Sequence, residues 1–221
     1  MSKILFLDCD STLSTIEGID ELAACRGSEI QQQVVELTNG AMSGQVPIDE
    51  VFARRLDLIQ PTFEMCQEVG RKYVATITDN GKAVLDAMRQ QGWKPVIVSG
   101  GFTEAIRPLA GELGIEEVFA VSLRFNSDGT YQNFDRSAPT ARNHGKTDVI
   151  RHYCETNEIE KSVMIGDGIS DWETHTVVDL FVGFGGVVER QSVKERATEY
   201  LACFQELPHV VSRRLGKVVS V

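Results

Sequence analysis

The stretch FLDCDSTLS, residues 6–14, ends an apolar run on two aspartates, Asp8 and Asp10, with one residue between them. Like charges this close repel, and at the end of a buried strand water screens the repulsion poorly. One carboxyl of the pair resists ionisation unless a positive charge sits against it. The run leading into the pair, KILFLD at residues 3–8, lacks polar alternation, the pattern of a strand buried on both faces of a parallel sheet. Such a strand belongs to an α/β fold and delivers its last residues to the rim where ligands bind.

Beyond this stretch the pattern changes. Between residues 16 and 74, IEGIDELAACRG, SEIQQQVVELTNGAM, PIDEVFARRLDLI and PTFEMCQEVGRKYV repeat apolar residues at spacings of three and four, with Pro47 and Pro61 at two helix starts. No strand pattern interrupts them. The expectation is a helical insert, residues 16–74, between core segments 1–15 and 75–221.

From residue 75 strands and helices alternate. TITDNGKAVLDAMRQQGW predicts a helix with Thr78 or Asp79 as its N-cap and Gly92 as its stop. KPVIVSGG predicts a strand, and FTEAIRPLAGELGI a helix that Pro108 kinks or delays. VFAVSLRFNSDGTYQNFD predicts a hairpin turning at Asp128-Gly129, with Gln132 to Arg142 as a loop. GKTDVIRHYCETN is a helix pattern, SVMIGDGISDWETH reads as strand, glycine turn and helix, and DLFVGFGG as a last strand. Residues 187–221 hold helix-like and strand-like pieces with no legible chemistry. The fold expected is α/β: a Rossmann-like, mostly parallel sheet with helices on both faces, plus the inserted helical cap.

The 221 residues carry a formal net charge of −10, which argues against a nucleic-acid or anionic-membrane surface. An anionic small substrate remains compatible, because local charge in a pocket opposes the global sign. Five cysteines, odd in number and without CxxC spacing, read as thiols in a reducing compartment. MSKILFLD runs straight into a strand, leaving no room for a signal peptide, and no apolar run has membrane-span length. A cytoplasmic location is expected.

The chemistry-bearing residues fall at strand ends. Asp8 and Asp10 close the first strand, Ser99 to Gly101 another, Asp167 to Asp171 a third, and Lys146 opens a helix beyond the hairpin. Four carboxylates beside one lysine leave excess negative charge that a hard divalent ion resolves; Mg²⁺ suits carboxylates, retained waters and a substrate phosphate. VSGG offers a hydroxyl and backbone N–H groups at a helix N-terminus, a seat for phosphate, and Lys146 neutralises charge on the same group. Each motif alone reads as loop solvation, a glycine turn or a surface lysine; together, at strand ends, they point to a phosphoryl site. Other motifs fail. GKT at residues 145–147 lacks the earlier glycine of a Walker A loop, Thr140 standing in its place, and His144, His152, His175 and His209 have no metal-ligand spacing. His175 lies nearest the rim.

Taken together, these motifs resemble the haloacid dehalogenase-like phosphohydrolases. DCDST at residues 8–12 matches their first motif, VSGG the second, Lys146 the basic third and GDGISD the acidic fourth. Over roughly residues 4–185 the chain further resembles the phosphoserine phosphatase family, through STIEGIDELA with Glu17, AMSGQVPIDEVFARRLDLIQP with Arg55, and the hairpin segment leading to Lys146. The resemblance implies Asp8 as nucleophile and Asp10 as general acid and base. It implies Mg²⁺ held by Asp8, Asp167 and the Asp10 carbonyl, and phosphoryl contacts from Ser99, Gly100, Lys146 and Ser170. Asp171 would steady Lys146 and the metal's surroundings, Arg55 would read a substrate carboxylate and Glu17 its ammonium; a slip of one residue would give Arg54 the role of Arg55. Two positions depart from the family pattern: Ile48 stands where relatives carry an aromatic, and Ser170 where many carry Asn.

Two other readings compete. A phosphatase for phosphohomoserine or phosphothreonine would keep the chemistry and change the cap contacts. A phospho-accepting receiver module also uses an acidic pocket, Mg²⁺, a hydroxyl residue and a lysine, but it needs about half this length, no helical insert, and no carboxylate two residues after the phosphorylated one.

Overall fold

The computed structural model describes residues 2–38 and 50–216 in full and the backbone alone of 39–42 and 48–49. The apolar runs become the inner strands of one sheet. β1 (Ser2–Leu7) pairs in parallel with β2 (Trp93–Phe102) on one side and with β6 (Ile159–Gly166) on the other. β3 (Glu117–Val121) extends the sheet beyond β2, and β7 (Leu180–Phe184) and β8 (Glu199–Leu201) extend it beyond β6, giving the order β3-β2-β1-β6-β7-β8 with every pairing parallel. Leu5 and Leu7 of β1 enter one hydrophobic cluster, while Ile4 and Phe6 enter the cluster on the opposite face. That two-sided burial is why the strand shows no polar alternation. Each such fully buried side chain contributes about 1.5–3 kcal/mol.

Four helices lie between β1 and β2 in the chain: α1 (Gly18–Ala24), α2 (Ser28–Met42), α3 (Ile48–Ile59) and α4 (Phe63–Ala75). The helix start read at Pro47 and the side chain of Ile48 lie outside the described residues. Leu22, Val34, Leu56, Ile59 and Val69 of these helices share one continuous cluster with Leu5 and Leu7, so the helices pack on the sheet domain. The two connections run side by side and antiparallel. Ser14 bridges Ile77, Thr15 N–H donates to the Thr76 carbonyl at 2.9 Å, and Thr78 N–H to the Leu13 carbonyl at 3.0 Å.

This neck corrects one expectation. Thr78 does not cap the next helix, α5 (Gly81–Gln90): its hydroxyl donates to the Thr12 carbonyl, and the residue before the helix is Asn80, in the left-handed region with φ 63°. Gly92, with φ 84°, follows the helix end as expected. α6 (Thr103–Glu112) runs through Pro108 without a late start. The Glu104 carbonyl, four residues before the proline, instead accepts from Gln67 Nε2 at 3.5 Å, and Gly70 of α4 lets the proline ring close in: a Cβ there would lie 2.7 Å from Pro108 Cγ.

The hairpin expected around Asp128-Gly129 is β4 (Leu123–Phe125) with β5 (Tyr131–Phe134), turning at Gly129 with φ 82°. Residues 132–134, expected as loop, belong to its second strand, whereas β3 pairs with β2 and takes no part in it. Phe125 and Phe134 reach the helical insert, packing on Phe63 at 5.6 Å and Phe52 at 5.2 Å between ring centroids. α7 (Gly145–Thr156) and the short α8 (Ile169–Trp172) flank β6. The illegible C-terminal stretch supplies α9 (Gln191–Lys194), edge strand β8 and α10 (Leu207–Leu215). None of the five cysteines is in a disulfide.

Candidate active site

After Leu7 the chain leaves the sheet in a tight turn: Ser11 sits at φ 51° and Ser14 N–H donates to the Cys9 carbonyl at 3.1 Å. A left-handed serine beside a chemically loaded pair is strain of the kind found at functional sites. The turn opens into a cavity of about 350 Å³ lined by Asp8, Asp10, Glu17, Arg55, Lys146, Asp167, Asp171 and Arg190 among its polar groups. Five carboxylates thus face three cations. The excess of two negative charges is what a divalent cation balances.

Lys146 reaches the carboxylates because Gly145 opens α7: a Cβ at 145 would lie 1.8 Å from the Pro139 carbonyl oxygen. Its ammonium lies 2.7 Å from Asp8 Oδ1 and 2.6 Å from Asp171 Oδ1, and all three side chains are buried. Burial opposes the ammonium, but the charges of Asp171 and Asp8 override it, so the Lys146 pKa is raised and the cation is held. Asp8, Asp167 and Asp171 present carboxylate oxygens within 4.8 Å of one another, an all-oxygen donor set suited to a hard cation. Burial and then Asp8 push the Asp171 carboxyl up to about 8; its Oδ2 also accepts from Gly168 N–H at 2.9 Å. Gly166 makes room for it, since a Cβ there would lie 2.3 Å from Asp171 Cγ.

Asp10 is placed differently. Its Oδ1 accepts from Gly18 N–H at 2.7 Å and from the Tyr73 hydroxyl at 2.5 Å. Oδ2 faces Gly101, where a Cβ would approach it to 3.1 Å. Burial, then the neighbouring Asp8, raises its pKa from 3.8 to about 6. The repulsion read from DCD thus falls on Asp10. Ser99 is fully buried and its Oγ accepts from Gly101 N–H at 2.9 Å; Gly100 and Ser170 line the cavity, Ser170 at its exposed mouth.

Glu17 accepts from Ser11 Oγ at 2.7 Å, and burial, then Asp10, raises it to about 7. Of the two neighbouring arginines, Arg54 is exposed and pairs with Glu50 at 3.3 Å, whereas Arg55 lines the cavity. Arg55 Nη1 lies 3.4 Å from Thr38 Oγ1, while its Nε is buried with no hydrogen-bond partner among the described residues. His175 stacks on Trp172 at 4.5 Å and does not line this cavity.

Two cavity contacts escaped the sequence reading. Arg190 Nε donates to Asp167 Oδ2 at 2.7 Å and its Nη2 to Glu17 Oε1 at 3.4 Å, joining a sheet-end carboxylate to one on the insert. Tyr73, the second, reads in the sequence as one more apolar position of a helix. RQSVKERATEY gave no signal beyond charge for the first.

Comparison with known proteins gives this geometry its relatives. The family model for haloacid dehalogenase-like hydrolases matches residues 5–174. The phosphoserine phosphatases of Bos taurus and Homo sapiens are each 38% identical to the chain over 202 residues, covering 90% of this chain and 89% of theirs. The crystal structure of a phosphoserine phosphohydrolase-like protein from Francisella tularensis superposes with a TM-score of 0.83 at 25% identity, over 96% of this chain and all of that one. With four motifs converging on one rim and relatives matched almost end to end, the chain belongs to the haloacid dehalogenase-like hydrolases and, among them, to the phosphoserine phosphatase family.

Proposed function

We propose that the protein hydrolyses O-phosphoserine to serine and phosphate through an aspartyl-phosphate on Asp8. The observation that carries this reading is one cavity lined by Asp8 and Lys146 together with Arg55 and Glu17. The first two suit a phosphoryl group and the other two an amino acid's charged termini. The bovine and human relatives carry the name of this activity.

In this mechanism a carboxylate oxygen of Asp8 forms a bond to phosphorus as the bond to the serine oxygen breaks. Asp10 gives its proton to that oxygen, and serine leaves. Asp10, now a carboxylate, takes a proton from water, whose oxygen attacks phosphorus; phosphate leaves and Asp8 is restored. Lys146, Ser99, the Gly100 N–H and Ser170 hold the phosphoryl oxygens, and Asp171 fixes Lys146. Residues Asp8, Asp167 and the Asp10 carbonyl are the group that would hold Mg²⁺, which when bound offsets charge on the phosphoryl oxygens. The fork of Arg55, whose buried Nε has no partner among the described residues, receives the serine carboxylate, and Glu17 the ammonium. The receiver alternative stores its phosphate; the second carboxyl, Asp10, serves release.

The test is phosphate release from O-phosphoserine, phosphothreonine, phosphohomoserine and p-nitrophenyl phosphate, with and without Mg²⁺, by wild type and Arg55→Ala. We expect phosphoserine to lead in kcat/KM. Arg55→Ala should lose about 10²-fold on it, the cost of stranding a desolvated charge partner, with little change on the aryl ester. No preference for phosphoserine, together with an unaffected variant, overturns the assignment.

A further inference from the structure

Among the described residues the Asp10 carboxyl is gripped on one oxygen only. Oδ1 accepts two hydrogen bonds, from Gly18 N–H and from the Tyr73 hydroxyl, both supplied by the helical insert. An sp² oxygen has two lone pairs, so Oδ1 is saturated and a proton on this carboxyl resides on Oδ2. Oδ2 is the oxygen beside Gly101, in the stretch where the absence of a side chain keeps the approach open. The tyrosine reaches this position because residue 18 is glycine: a Cβ there would lie 2.0 Å from the Tyr73 hydroxyl oxygen. Tyr73 is fully buried, 63 residues from Asp10 in the chain, and its one proton goes to Asp10 Oδ1, with the Cys9 thiol beside the same hydroxyl.

We infer that Tyr73 is a positioning residue for proton transfer by Asp10: it holds Oδ1 so that Oδ2 faces the leaving oxygen. The inference rests on the phosphatase reading above, with Asp10 as general acid. A buried tyrosine that merely satisfies its hydroxyl would stabilise the fold and leave reactivity with different esters changed in equal proportion. A positioning residue acts where the leaving group needs a proton. An alkoxide leaves badly without one, whereas p-nitrophenolate leaves unaided, so the loss should track the basicity of the leaving oxygen.

The experiment compares kcat/KM for O-phosphoserine and p-nitrophenyl phosphate in wild type, Tyr73→Phe and Gly18→Ala. This ratio reports the steps up to phosphoryl transfer to Asp8 and excludes the shared second half of the reaction. Tyr73→Phe keeps the ring and removes only the hydroxyl. We expect it to lose roughly 10-fold or more on O-phosphoserine, a part of the 10²–10⁴ that a positioned acid supplies, and less than about 2-fold on the aryl ester. Gly18→Ala, which displaces the hydroxyl without removing it, should give the same asymmetry. Equal losses on both esters, or no loss on either, overturn the inference while leaving the phosphatase reading intact. A wild type that turns over neither ester removes that reading and this inference with it.

Discussion

Lys146 and Asp8 stand 138 residues apart in the chain and 2.7 Å apart in the fold, both buried. The lysine is the only cation within hydrogen-bond reach of Asp8 among the described residues, and it is shared with Asp171.

Replacing it with an apolar side chain of similar length strands two buried carboxylates. Lys146→Met should lower phosphate release by about 10²–10³-fold, the usual cost of losing a preorganised charge stabiliser. In metal-free protein it should also cost about 3–5 kcal/mol, the consequence of breaking a buried pair from one side. Thermal unfolding with EDTA and with excess Mg²⁺ checks this. The melting temperature should fall with EDTA and partly recover with the ion, and an unchanged melting temperature in EDTA would show that the pair does not matter to the fold.

Arg190 is another cation lining the cavity, and it is half-buried. Its charge-assisted bond to Asp167 offsets the repulsion that Asp8 exerts on that carboxylate, while burial and Asp8 together still leave the Asp167 pKa raised. Arg190→Ala should destabilise the metal-free protein by about 1.5 kcal/mol, the low end for a hydrogen bond to a charged group, or roughly 3–6 °C for a chain of this size. Because the guanidinium no longer competes for Asp167 charge, the penalty should shrink in saturating Mg²⁺. Differential scanning calorimetry in the two conditions measures both effects; a penalty that grows with Mg²⁺ would place Arg190 as a support of the bound ion.

The raised carboxyls set a pH signature. Glu17 moves from its ordinary 4.5 to about 7 through burial and then Asp10, and Asp10 from 3.8 to about 6 through burial and then Asp8. A carboxyl whose folded pKa lies above its unfolded value stabilises the fold fully below the unfolded pKa. That contribution is lost as pH rises through the folded one. For Glu17 the window runs from about 4.5 to about 7, and across it the metal-free protein should lose stability. Glu17→Gln should flatten the slope of melting temperature against pH across that interval, and divalent-ion affinity in wild type should rise over the same interval as the carboxyls ionise. A slope that Glu17→Gln leaves unchanged would assign the effect elsewhere.

Much of the architecture is legible in local patterning. KILFLD, KPVIVSGG and SVMIG are apolar on both faces, and they form the inner strands because only the middle of a parallel sheet hides both faces. Their rim residues, Asp8, Ser99 and Asp167, are therefore legible as neighbours before any contact is seen. Local signals gave way, or were accommodated, where they met a tertiary competitor. Thr78 has the chemistry of an N-cap, but the neck of the insert takes its hydroxyl for the Thr12 carbonyl. Pro108 has the chemistry of a breaker, yet Gln67 reaches the carbonyl it frees and Gly70 accepts its ring.

Arg54 and Arg55 illustrate the limit within one helix. Adjacent residues point about 100° apart on a helix, so one faces Glu50 and solvent and the other the cavity, and only the placement of the helix on the sheet decides which. The chain's order of residues determined a parallel α/β core, an inserted run of helices and a rim of carboxylates, because hydrophobic period and glycine placement act over a few residues. The grip of Tyr73 on Asp10 and of Arg190 on Asp167 was decided only by the fold. Hydrogen-bond partners far apart in sequence meet through the packing of whole elements, and no local pattern records where that packing will bring them.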